Sequence, residues 1–294
     1  MALSLIIALL GYIILAAVAV MDKFILTKSV KSASTYAFYS SVFFLILLPV
    51  LPFVARLSLL DFGVSMFSGI MFGLGLWTMF IALKNADASC ISPFIGGATA
   101  IATFLFGYFF GEHLGLYATI GVWVLALGSL LISYAKTTSR SFKHAFLWAL
   151  ASGALFALSH YSAKYIYDIY PFISGLVYTK FPIGLVGLAL LLLPEVRRTM
   201  KEKDAGKSGP IVITDKVLGI VGSLLIQYAI ALGSVTVVNA LAGIQYAIIF
   251  VIAIILTKKV PHIFNETLEK RGVVIQVSAL ILIIIGTALV ALVL

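Results

Sequence analysis

Runs of about twenty mostly apolar residues follow one another along the 294-residue chain, and a run of that length is what an α-helix needs to cross a bilayer. Each helical residue rises about 1.5 Å and the hydrocarbon core is about 30 Å thick. Ten such runs occur: Ala2–Met21, Ala33–Val54, Phe62–Leu83, Ser89–Phe110, Leu116–Tyr134, Ala145–Ala163, Phe172–Leu193, Val217–Gly233, Val237–Leu256 and Val273–Leu294. With 62% apolar and 11% charged residues, the chain has too little polar surface for a soluble globular domain. Runs such as Ile281–Ile285 also lack the period-two alternation of barrel strands. The expected fold is an all-α polytopic membrane protein with ten transmembrane helices and the lipid bilayer as its first partner.

Ala17-Val18-Ala19 has the small residues of a signal-peptide cleavage site, but no Lys or Arg precedes the first run, so that run is expected to stay as a span. A single cysteine, Cys90, forms no intramolecular disulfide and no thiolate cluster, and it is read as a small buried residue. The net charge of +9 sits in loops between apolar runs and is not a nucleic-acid footprint. No metal or cofactor is expected.

The chain repeats itself. Ala8-Leu9-Leu10 set against Ala149-Leu150-Ala151 brings Lys23 onto Lys164 and Arg56 onto Arg197. Further on, Ala82-Leu83 matches Ala231-Leu232 and Leu127-Gly128 matches Ile285-Gly286. The expected division is residues 1–137 and 138–294, each with five spans. Five is odd, so the second repeat enters the membrane from the opposite side. Inverted repeats of this kind place a substrate site near the midplane between them and alternate its access.

Ala88-Ser89-Cys90-Ile91-Ser92-Pro93-Phe94, then Gly111-Glu112-His113-Leu114, Gly121 and Leu127-Gly128, resemble the span-four and span-five signature of EamA-type transporters of the drug/metabolite transporter superfamily. In the second half Ala242 stands where Pro93 stands in the first, and Thr257-Lys258-Lys259 replaces the expected Gly-Glu. The resemblance implies a ten-helix carrier of small metabolites, amino-acid-like or otherwise amphipathic or anionic. Such a carrier is expected in the plasma (inner) membrane, as a monomer or weak homodimer, with a proton or ion as a candidate for coupling.

Loops on the N-terminal side hold Arg56 and Lys164, Lys180 lies inside a span, and the other seventeen Lys and Arg residues fall on the opposite side. The positive-inside rule then puts both termini outside, whereas typical members of the superfamily have them inside.

An ionisable residue inside a span is expensive unless it meets a partner, water or a ligand. Lys180, mid-span in the seventh run, and His160 in the sixth are expected to line a central cavity and make it positive. Tyr178, Gln227, Tyr228, Gln245, Tyr246 and Trp77 are candidates for orienting the substrate, and Asn239 is a further mid-span amide. Pro93, Gly96 and Gly97 form a candidate helix hinge. Lys164 is read as reaching the interface and Glu112 as capping the fifth span, while Gly69/Gly73 and Gly107/Gly111 are read as close packing points. Asp22 and Lys23 are expected to be solvated, as is the charged stretch Glu195–Lys216.

No Gly-Lys-Ser/Thr phosphate loop occurs, and His113, His144, His160 and His262 are scattered. Neither ATP-driven pumping nor an enzyme is indicated. No filter loop or ring of like residues marks a channel; a passive channel or a membrane-embedded enzyme or scaffold is the alternative to a carrier.

Overall fold

The computed structural model describes residues 2–28, 30, 32–86, 88–134, 140–201, 209–259 and 270–291. Among them there is no strand; the elements are α1 Ala2–Lys28, α2 Ala33–Val42, a 3-10 helix Phe43–Phe53, α3 Leu59–Asn85, α4 Ala88–Phe109, α5 Leu116–Tyr134, α6 Arg140–Ile169, α7 Phe172–Leu190, α8 Pro194–Lys201, α9 Gly209–Leu232, α10 Val235–Ala240, α11 Ala242–Lys259 and α12 Lys270–Ala291. Seven helices are long and apolar enough to cross a membrane: Ala2–Thr27, Ala33–Phe53, Leu59–Asn85, Ile91–Phe109, His144–Ile169, Phe172–Leu190 and Pro210–Leu232. The shorter apolar stretches Leu116–Leu131, Val235–Ile249 and Val277–Val290 fall on the fifth, ninth and tenth runs of the sequence.

The outward face is as informative as the core. On α1, Leu3, Ile6, Leu10 and Ile13 are exposed along one stripe, while Ala8, Tyr12 and Ala16, spaced by four, are buried. A helix with bulky apolar residues outside and small ones inside fits lipid on one side and protein on the other, since helix association in lipid depends on close approach rather than on expulsion of water.

Small residues make the closest contacts. A Cβ added to Gly69 of α3 would meet the Thr179 carbonyl of α7 at 2.7 Å, and one on Gly73 would meet Val186 at 2.8 Å, so this pair packs helix against helix as expected. Gly107 and Gly111 do something else. Gly107 leaves room for the Tyr161 hydroxyl and the Glu112 carboxylate, and Gly111 ends the turn after α4 at φ +82, where a side chain is strained.

The contact between α5 and α12 is built twice. A Cβ on Gly128 would meet the Ala279 carbonyl at 3.1 Å and the Ile283 nitrogen at 3.3 Å. One on Gly286 would meet the Gly121 carbonyl at 3.0 Å and the Leu125 nitrogen at 2.9 Å. Gly128, Ala279 and Ile283 thus play the parts of Gly286, Gly121 and Leu125, and one constant separation in sequence relates every residue to its counterpart. Likewise α1 packs along α9 as α6 packs along α3.

The candidate hinge has its place at this level, and one other expectation is corrected. Pro93, Gly96 and Gly97 lie in a continuous helix, α4. Gly96 accommodates the Tyr246 ring and Gly97 packs on Leu130 and the Ala126 carbonyl, so both serve close approach between helices. A helix interruption lies at Leu241 between α10 and α11. The carbonyl of Val238 at that break accepts the Tyr12 hydroxyl at 2.9 Å, satisfying a group the helix has released. The stretch Glu195–Lys216 is not a simple solvated loop. Pro194–Lys201 is helical, residues 202–208 lie outside the described ones, and α9 already begins at Gly209 and carries Asp215 and Lys216 into the interior.

Candidate functional site

A cavity of about 230 Å³ lies among α1, α2, the 3-10 helix, α3, α4, α6, α9, α10 and α11. Its wall is mostly apolar and aromatic, with Phe43, Phe44, Phe72 and Phe156 among its lining. The helix pair α5–α12 and helix α7 take no part in it, so they form the scaffold around the lined space.

The carboxamide and imidazole groups come from the second half of the chain. His160 of α6 lines the cavity, and its Nδ1 hydrogen-bonds Asn239 Oδ1 at 2.9 Å, joining α6 to α10 just before the break at Leu241. Asn239 lines the cavity too, 2% exposed, and its Nδ2 finds no hydrogen-bond partner. Gln227 of α9 accepts the Tyr167 hydroxyl at 2.9 Å through Oε1, and its Nε2 is likewise buried and unpartnered. Two cavity-lining residues therefore each keep a buried carboxamide N–H2 group with its donors unused, an arrangement that costs about 1–3 kcal/mol per group unless an acceptor arrives. Gln245, which also lines the cavity, donates to the Leu15 carbonyl at 3.3 Å, and Tyr246 stands against Gly96.

Four of the sequence candidates lie elsewhere. Lys180 does not line the cavity; it is 1% exposed, behind Phe72, with Nζ 4.4 Å from that ring's centroid and no hydrogen-bond partner. The α3–α7 contact at Gly69 and Gly73 draws α7 behind α3, which takes Lys180 away from the wall. Tyr178 packs edge-on to Phe62, ring centroids 6.1 Å apart. Half-exposed Tyr228 packs on Phe172 at 5.0 Å, on the outer side of α9. Trp77 donates to Ser34 Oγ at 3.1 Å and ties α3 to α2. Lys164 pairs with Asp168 at 2.6 Å.

Glu112 is not a cap, because α5 begins only at Leu116. Its carboxylate accepts the Tyr161 hydroxyl and, at 2.7 Å, the Thr236 hydroxyl, linking the turn after α4 to α6 and α10.

A cluster absent from the sequence reading lies at one end of the cavity. Asp22, Asp215 and Lys216 line it, and with Tyr36 they form a buried group in which Lys216 Nζ is 3.2 Å from Asp22 and 2.7 Å from Asp215. Asp22 is thus buried rather than solvated. The only sequence signal was an adjacent Asp-Lys pair five residues past a glycine-proline, close to the start of an apolar run.

Because Lys180 Nζ has no hydrogen-bond partner, Lys180→Met is expected to leave stability within about 1 kcal/mol of the native protein or to raise it, the lost cation–π contact being offset by removal of an unpaired ammonium. Thermal unfolding in detergent checks this, and a loss of several kcal/mol would show that the ammonium has a partner.

No family model matches the chain, and no curated protein matches it. Among solved structures 28 chains match. One of these, a crystal structure of a protein 15% identical in sequence, superposes with TM-score 0.66 over 99% of this chain and 96% of its own length. The likeness is one of fold over the whole chain.

Proposed function

We propose that this protein is a secondary carrier of small amphipathic metabolites, of the EamA type, with ten spans in two inverted five-helix repeats in the plasma (inner) membrane. The observation that carries the reading is the pair of unused carboxamide donors, Asn239 Nδ2 and Gln227 Nε2, beside His160 in an apolar cavity whose lining comes from both halves. Those donors suit a solute with a carboxylate or carbonyl, and the aromatic wall suits an apolar side chain. The duplicated Gly128 and Gly286 contacts between α5 and α12 support the inverted repeat. So does the pairing of α1 with α9 and α6 with α3.

Alternating access draws support from one asymmetry. Helix α3 packs closely along α7, whereas the corresponding meeting of α9 with α2 is thin, and the cavity extends between them past Ser40, Phe43, Gly219 and Ser223. One pairing is closed and its counterpart is open, as expected when two similar halves exchange roles.

Counterflow in proteoliposomes over a panel of carboxylated and amidated metabolites tests the proposal, since a carrier exchanges labelled for unlabelled solute against a gradient and a channel does not. Asn239→Ala and Gln227→Ala are each expected to raise the half-saturation concentration about tenfold, corresponding to the roughly 1.4 kcal/mol of one well-placed hydrogen bond. Counterflow unaltered in both variants would remove these donors from the substrate site.

A further inference from the structure

The Asp22–Tyr36–Asp215–Lys216 cluster holds one more close oxygen contact than the Tyr36 hydroxyl and the Lys216 ammonium can fill. Tyr36 Oη lies 2.5 Å from Asp22 Oδ1 and 2.8 Å from Asp215 Oδ2, yet a phenol has a single proton to donate. Lys216 cannot supply the missing one. Its three N–H groups are directed to Asp22 Oδ1 at 3.2 Å, Asp215 Oδ2 at 2.7 Å and Tyr36 Oη at 2.7 Å. A carboxylate facing the lone pairs of a phenol at hydrogen-bond distance is repelled unless a proton lies between them.

We propose that this cluster binds one proton between Asp215 and Tyr36, and that losing it unlatches α9 from α1 and α2. With the proton in place the group is electrically neutral, comprising one ammonium, one carboxylate, one carboxylic acid and a phenol. Without it a net negative charge is left in a space where Asp215 is 0% exposed and Asp22 5%. Such a charge requires water, and water enters when the helices part. The released proton passes to that water, and rebinding from water restores the latch. A metal cation does not fit the site, because Lys216 Nζ already occupies the position between the two carboxylates.

Among the described residues, the other groups facing the cluster leave this count unchanged. Helix α3 presents Phe80, whose ring packs edge-on to Tyr36 at 4.7 Å, and α4 presents Ser92. Lys23, beside Asp22, extends to the Leu83 and Ala86 carbonyls at 2.9 Å. His160 of α6 lines the same cavity but is engaged with Asn239. At the first turn of α3 a different arrangement occurs. There a lone carboxylate, Asp61, receives hydroxyls from Ser58 at 2.6 Å and Tyr170 at 2.7 Å, and each contact has its own proton.

The link between this proton and solute movement rests on the carrier reading; proton binding itself does not. The test therefore uses the purified protein without any solute. Infrared titration is expected to show a carboxylic C=O stretch that disappears as pH rises in the native protein and is missing from both Asp22→Asn and Asp215→Asn. Tyr36→Phe, which keeps both carboxylates, is expected to shift the titration midpoint. Spin labels at Thr27→Cys on α1 and Thr214→Cys on α9, in a Cys90→Ser background, are expected to move apart over the same pH range and to stay close at every pH in Asp215→Asn. If no titrating carboxyl depends on Asp22 and Asp215, the proton site is overturned. If it titrates while the label distance is constant, the latch is overturned. Absence of counterflow with both of these results intact would strike the carrier reading alone.

Discussion

Lys216→Met is expected to destabilise the protein by about 3–5 kcal/mol, the usual cost of removing one partner from a buried ion pair. The ammonium bonds both Asp22 and Asp215 and lies 3.9 Å from the Tyr36 ring centroid, so its loss leaves the buried Asp22 carboxylate without a countercharge. Adding Asp22→Asn to Lys216→Met is expected to recover a large part of that loss, because the unpaired carboxylate is gone. Thermal unfolding of the native, single and double variants in one detergent gives the comparison. A loss below about 1 kcal/mol for Lys216→Met would place the cluster among solvated surface pairs. A double variant no more stable than the single one would show that the unpaired carboxylate is not the source of the cost.

The second large effect concerns the duplicated contact of α5 and α12. Gly128→Val and Gly286→Val are each expected to cost about 3 kcal/mol, the upper part of the range for overpacking, because the new side chains meet backbone atoms that cannot rotate aside. The two losses are expected to match. Each glycine faces a carbonyl and a nitrogen of the opposing helix, at 3.1 and 3.3 Å for Gly128 and at 3.0 and 2.9 Å for Gly286. A severe loss at one position with none at the other would show that the two contacts are not equivalent, and would weaken the case for inverted repeats.

The close contact of α5 with α12 was legible because it lives in small residues. Leu127-Gly128 and Ile285-Gly286 can be aligned by eye, and these glycines lie in the same kind of contact. Partner choice was less legible. Glu112 was readable as a cap from its place after Gly111, yet its carboxylate goes to Tyr161 and Thr236, residues that sequence proximity does not connect to it.

The sequence by itself determined that the chain is helical and that its elements are long and apolar enough to cross a membrane, because a run of apolar residues of helical length has only one way to satisfy its backbone in lipid. It also marked His160, Gln227, Gln245 and Tyr246, which line the cavity, through the cost of polar groups inside such runs. Depth in the membrane can be counted along a helix, but facing cannot. Lys180 and Lys216 show the difference. Counting put Lys180 at mid-span and Lys216 outside the apolar run, whereas the packing of α7 behind α3 hides the first, and the meeting of α9 with α1 and α2 buries the second between two aspartates. Which side of a helix meets a neighbour, and which distant acid meets a lysine, is fixed by interhelical contacts over hundreds of residues, and those exist only in the tertiary structure.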